Sequence, residues 1–176
     1  DDKLRSIENI TVEGGNNVIQ GNAENNTFVN SSGVDRLDGK TGNDTLILSD
    51  DRDFEIALWN NKLYETSDGI ERISGFENFI SGDGNDRIFG SWSWGDFDGN
   101  NIIDPGKGND FVRGFTGIDT IVLDGNDDAI IQLWNTREYD TGYGNKVIRE
   151  FENVITGSGN DIVQGDSNNN VFDTNE

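Results

Sequence analysis

The sequence predicts an all-β chain, folded as a flattened solenoid of stacked half-coils. Three observations carry that prediction. An Asp or Asn recurs on a nine-residue step at Asn17, Asn26, Asp35 and Asp44, again at Asn101, Asp110 and Asp119, and again at Asp161 and Asn170, with Asp86 standing alone. The residue two beyond this slot is apolar in all ten units: Ile19, Phe28, Leu37, Leu46, Ile88, Ile103, Val112, Ile121, Val163 and Phe172. Glycine stands two residues before the slot in eight of the ten, at Gly15, Gly33, Gly42, Gly84, Gly99, Gly108, Gly117 and Gly159. Such a glycine lets the backbone turn through positive φ with no Cβ clash.

Each unit reads as six residues of turn and three of strand, with one apolar side chain facing inward. Successive units alternate edges, so units two apart stack on the same edge. Stacked strands lie about 4.8 Å apart. Two slot carboxylates at that separation repel by roughly 3 kcal/mol at an effective dielectric near 20. A cation between them removes that cost. Calcium suits the gap, because its bonds to oxygen run about 2.3–2.6 Å and the turn carbonyls supply further hard ligands.

The units Gly39 to Ile47, Ser81 to Phe89, Pro105 to Arg113, Gly114 to Val122 and Thr156 to Gln164 resemble the RTX (repeats-in-toxin, haemolysin-type) nonapeptide, G-G-x-G-x-D-x-U-x. The resemblance extends over roughly two-thirds of the chain. It implies a parallel β-roll with Ca2+ in its turns, type I secretion from a bacterium, and folding outside the cell or at its surface. Carried over residue by residue, it makes Asp35, Asp44, Asp86, Asp110, Asp119 and Asp161 metal ligands, with Asn17, Asn26, Asn101 and Asn170 in the same slot. Turn ligands follow at Gly42, Gly84, Gly108, Gly117 and Gly159. The chain also departs from the pattern. The leading Gly-Gly is mostly lost, and an Asn oxygen ligates without bringing charge. Asp86 and Asp110 are therefore expected to form the one doubly carboxylate step, with Asn17/Asp35, Asn26/Asp44 and Asn101/Asp119 weaker. The competing reading is a ladder of hydrogen-bonded Asn and Asp that holds little metal.

A longer repeat organises the units. Ile7-Glu8-Asn9 recurs as Phe76-Glu77-Asn78 and Phe151-Glu152-Asn153, with glutamate in the slot of an opening half-turn. Leu58-Trp59-Asn60 recurs as Leu133-Trp134-Asn135, 75 residues on. The chain is expected to divide into a first copy (1–75), a second (76–150) and the start of a third (151–176), one continuous array cut from a larger parent. Two excursions, about 48–74 and 123–150, alternate apolar and polar residues and read as antiparallel hairpins over the roll's flank. Trp59 and Trp134 are expected to pack.

Between Asp86 and Asn101 about six extra residues are inserted near 91–96. The insertion carries Trp92 and Trp94, which would stack on sugar rings. It runs into Asp96, Asp98, Asn100 and Asp104, which alternate like the opening of an EF-hand loop and form a further calcium candidate. Asn101 and Lys107 stand where that loop needs glycine and a bidentate acid.

Composition narrows the function. With 34 Asp and Glu against 13 Lys and Arg, the net charge is −21, and no basic patch is present to displace counterions from nucleic acid. No apolar run approaches transmembrane length. Cysteine and histidine are both absent, so thiol and imidazole chemistry are excluded, and the acids already have a structural reason to be where they are. The chain reads as a non-catalytic calcium-binding module whose partners are calcium ions and neighbouring repeats or domains of its parent. The alternative is a carbohydrate-binding or adhesin module that meets polysaccharide through Trp92, Trp94 and the acidic turns.

Overall fold

The computed structural model describes residues 8–30, 33–48, 51–59, 63–66, 69–92 and 99–175. Among them nineteen strands follow in chain order. They are β1 (Asn9–Val12), β2 (Val18–Gln20), β3 (Thr27–Asn30), β4 (Arg36–Asp38), β5 (Thr45–Leu48), β6 (Glu55–Ala57), β7 (Leu63–Thr66), β8 (Gly69–Ser74), β9 (Asn78–Ser81) and β10 (Arg87–Phe89). The second half holds β11 (Ile102–Asp104), β12 (Asp110–Arg113), β13 (Thr120–Leu123), β14 (Ile130–Gln132), β15 (Tyr139–Asp140), β16 (Asn145–Arg149), β17 (Asn153–Thr156), β18 (Ile162–Gln164) and β19 (Val171–Thr174).

One long wall is an eight-stranded sheet in the order β1-β3-β5-β9-β11-β13-β17-β19, every pairing parallel. The opposite wall is laid down in three runs: β2-β4-β8-β7, β15-β16-β12-β10-β6, and β14-β18. Where nonapeptides follow without interruption, the register advances by 18 residues: Phe28 pairs with Leu46, and Ile19 with Leu37. Two nine-residue units thus make one coil, and the chain folds as a parallel β-roll.

The core is the row of residues two beyond the slot. Phe28, Leu37, Leu46, Ile88, Ile103, Val112 and Ile121 are completely buried. Ile19 and Val163 pack partly against the same cluster. Phe172 is 42 % exposed, since β19 has a neighbour on one side alone among the described strands. Strand period 2 puts the slot residue on the same inward face as this apolar residue. That is why Asn26, Asp35, Asp44, Asp86, Asn101, Asp110 and Asp119 are buried too.

The excursions do not lie over the flank. β6 stacks on β10, β8 on β4, β14 on β18 and β16 on β12, all parallel, so these strands are part of the second wall. Among the described strands only β7 and β15 pair antiparallel, against β8 and β16. The apolar alternation explains it: Phe54, Ile56 and Leu58, like Ile131 and Leu133, go into the core. Trp59 and Trp134 follow on the opposite face and are 49 % and 57 % exposed. They do not pack into the core as expected; the Trp134 indole N–H donates to Gln164 Oε1 at 3.1 Å.

Candidate metal centre

The slots are tied coil to coil by a backbone-to-carboxylate ladder. Where the next coil carries an acid in its slot, the slot residue's N–H donates to that carboxylate in the steps that follow. On one edge Asn17 donates to Asp35 Oδ1 at 2.7 Å, Phe54 to Asp86 and Asp86 to Asp110, both at 2.8 Å. On the other, Asn26 donates to Asp44 Oδ1 at 2.7 Å, Asp44 to Glu77 Oε2 at 2.8 Å, Asn101 to Asp119 at 2.8 Å and Asp119 to Glu152 at 2.8 Å. Ala129 donates to Asp161 Oδ1 at 2.8 Å. A second ladder runs one residue earlier and in the opposite sense. Asn25 accepts from the Asn43 amide at 2.9 Å, Asp53 from Asn85 at 2.7 Å, Asn85 from Asn109 at 3.0 Å, Asn100 from Ile118 at 2.6 Å and Asp128 from Asn160 at 2.8 Å.

These ladders satisfy an Asn slot completely and an Asp slot by half. Asn17 donates its side-chain amide to Gly14 O at 2.8 Å, Asn101 to Glu77 O at 2.7 Å and Asn170 to Glu152 O at 3.1 Å. Asn oxygens also close the turn: Ser91 N–H donates to Asn101 Oδ1 at 2.6 Å, Asp166 N–H to Asn170 at 3.0 Å, and Asn22 N–H to Asn26 at 2.9 Å. In Asp35, Asp44 and Asp86, by contrast, Oδ2 is buried with no hydrogen-bond partner among the described residues. The Ser81 hydroxyl near Asp86 is directed at the Asp104 carbonyl, 3.5 Å away.

Burial disfavours the charged form of a carboxylate and raises the pH at which it gives up its proton. Burial pushes Asp44 up to about 6, against the Asn26 amide that stabilises its anion. Burial likewise lifts Asp86 to about 6, with the Phe54 amide opposing and Asp110 adding to the rise. Asp110 is raised by burial, and the Lys146 ammonium pulls it back. Lys146 is completely buried in the slot of β16 and donates to Asp110 Oδ2 and, at 3.2 Å, to Gly108 O. A carboxylate oxygen and a turn-glycine carbonyl thus converge on a cation here, one the protein supplies.

The turn glycines make room for that arrangement. Gly42, Gly108 and Gly117 hold φ of 141°, 116° and 128°. Gly84 and Gly159 do not have positive φ; a side chain there would strike the Arg52 and Asp127 carbonyls. At Gly39 a Cβ would collide with the Gly75 carbonyl oxygen and sit 2.6 Å from Asp44 Oδ2. The space is therefore an oxygen-lined cradle between coils. Calcium fits that donor set, with hard oxygens of both charged and carbonyl type. Among the described residues no three acidic side chains gather, so backbone carbonyls must complete any site.

Asp86 and Asp110 stack as expected, but theirs is not the one two-acid step. Glu77 and Glu152 complete Asp44 and Asp119 in the same way, and the signal for them is their nine-residue spacing ahead of the next unit. Asp161 is half-buried and accepts from Ala129. Of the insertion-loop candidates, Asn100 belongs to the outer ladder. Asp104 is raised to about 6 by burial and accepts from Gly106 N–H at 3.0 Å. Trp92 is 41 % exposed and stacks on Phe115 at 4.6 Å. Asp96, Asp98 and Trp94 lie outside the described residues. Among the described residues no helix is long and apolar enough to cross a membrane.

Compared with known families, the chain matches the RTX calcium-binding nonapeptide repeat (four copies) over residues 7–33, 29–54, 67–94, 97–130 and 151–176. No curated protein and no solved structure matches it.

Proposed function

Because the chain belongs to the RTX calcium-binding nonapeptide repeat family, we propose that it is the calcium-binding module of a larger secreted bacterial protein, folded and rigidified by extracellular calcium. The observation that carries this reading is the buried Oδ2 of Asp35, Asp44 and Asp86, which no donor among the described residues satisfies. Bound between coils, calcium supplies the positive partner that each of these buried oxygens lacks.

The chain's own residues do the rest. The amides of Asn17, Asn26 and Phe54 fix each carboxylate by one oxygen and leave the other for the ion. The turn glycines keep side chains out of the cradle. An ion that binds only the folded chain stabilises it by mass action, about 2.7 kcal/mol per site at a hundredfold excess over Kd. With a net charge of −21, the calcium-free chain resists compaction. Where calcium is scarce the module stays extended for export, and outside the cell it folds. Its role is structural and non-catalytic. Polysaccharide contact through Trp92 is no part of this proposal, because that ring is already committed to Phe115.

The test is a calcium titration of chelated protein, followed by circular dichroism and by metal content. Strand signal and melting temperature should rise together with calcium. The triple variant D35N/D44N/D86N should bind fewer equivalents. A spectrum and melt that do not change between excess chelator and excess calcium would refute the reading.

A further inference from the structure

One slot in the roll is filled by a residue of the wrong charge for a calcium site. β16 places Lys146 opposite Asp110, where the other steps carry an acid, an amide or an apolar residue. Its ammonium is completely buried and held by Asp110 Oδ2 and Gly108 O. Those two atoms are the carboxylate and turn-carbonyl donors of a cation site. The first copy provides the comparison within the same chain. Seventy-five residues earlier the pair is Asp35 and position 71, a glutamate, and β8 sets that position in the same register (Arg72 opposite Arg36). There Asp35 Oδ2 is buried without a hydrogen bond among the described residues; in the second copy the corresponding oxygen is paired.

We propose that Lys146 is a resident counter-ion that takes the place of calcium at the Asp110 step, so that one rung of the second copy is closed to metal. The inference rests on the calcium reading of the other slots. A buried ammonium on four methylenes excludes a second cation from the same oxygens by repulsion and by volume. It is tethered, so its attraction to Asp110 is not diluted when free calcium falls. The Asp110 step therefore holds together in chelator, while the Asp35, Asp44 and Asp86 steps lose their counter-ion. The Asp110–Lys146 rung is the part of the second copy that persists, and the array responds to calcium unevenly along its axis.

Two measurements test this. In protein labelled with ¹⁵N-lysine, the Lys146 ammonium should give a signal protected from solvent exchange at saturating calcium, assigned by its loss in K146N. Loss of that protection on adding calcium would overturn the proposal, because it would mean the ion displaces the ammonium. The second measurement is metal content in K146N and K146D, which restore the side chains used at the other slots. Each should bind one more calcium equivalent than wild type and melt lower than wild type in chelator. Unchanged content in variants that fold in calcium would overturn the proposal. A wild type that binds no calcium at all would defeat the functional reading above, and the gain or absence of an equivalent in K146N and K146D would still decide the role of Lys146.

Discussion

Raising the pH should weaken this roll in chelator and strengthen it in calcium. Asp44 and Asp86 titrate near 3.8 when unfolded and at about 6 when folded without an ion, chiefly because burial penalises the anion. Between those values the folded chain keeps protons that the unfolded chain has released. The stability this contributes is fully present below 3.8, is lost as pH rises through about 6, and stays lost above it. At about 1.4 kcal/mol for each tenfold change in proton affinity, a rise from 3.8 to about 6 is worth about 3 kcal/mol per carboxylate. Water at the turn edge reduces that to about 1–2 kcal/mol. The pair together should cost about 2–4 kcal/mol between acid and neutral pH. With calcium the sign inverts, because an ion binds the anionic form and protons compete with it below about 6. The assay is denaturant unfolding followed by circular dichroism at a series of pH values, once in chelator and once in excess calcium. D44N/D86N should flatten both curves, since the chain already uses Asn in the slot at Asn26 and Asn101. Parallel slopes in the two conditions, or a chelated protein that gains stability toward neutral pH, would refute the reasoning.

Two further substitutions separate the cradle from the core. Gly39→Ala places a methyl against the Gly75 carbonyl and 2.6 Å from Asp44 Oδ2. A backbone oxygen cannot step aside, so calcium content should fall by one equivalent and the calcium-induced rise in melting temperature should shrink. Phe28→Ala removes a completely buried ring in edge-to-face contact with Phe76 at 5.3 Å. It should cost about 3–5 kcal/mol in chelator and in calcium alike, read from unfolding midpoints, with metal content unchanged in the variant that remains folded.

Much of this architecture is legible in the sequence because two independent periods coincide on the same residues. Asp44 and Leu46 are two apart, the strand period, so one inward face takes both; Asp44 and Asn26 are 18 apart, the coil period, so one edge stacks both. The excursions escape the same reasoning. Phe54 and Ala129 occupy slots, yet neither is Asp nor Asn, so the periodic signal vanishes there. The ladder asks that position for a backbone N–H and nothing more, and Phe54 gives one to Asp86. A residue that breaks the repeat in sequence is still a rung of it in space. Lys146 is hidden in the same way, since nothing in its sequence neighbourhood says which carboxylate will stand opposite.

Counting charge alone is too coarse to separate Asn from Asp. By charge, an Asn slot looks like a weakened calcium site. In the structure an Asn slot is complete, because its amide nitrogen donates to a carbonyl, as Asn101 does to Glu77 O. An Asp slot has an acceptor where that donor would be. The two side chains differ there by one atom group, and the change turns a satisfied turn into one with a buried, unpaired oxygen at Asp35, Asp44 and Asp86. At Asp110 a lysine answers that oxygen; at the other three the calcium proposal supplies an ion. On the proposed reading, ladders without metal and metal in the turns cease to be rival accounts of the whole array, and each would describe its own slots. The identity of the slot residue and the residue opposite it decide which applies at each coil.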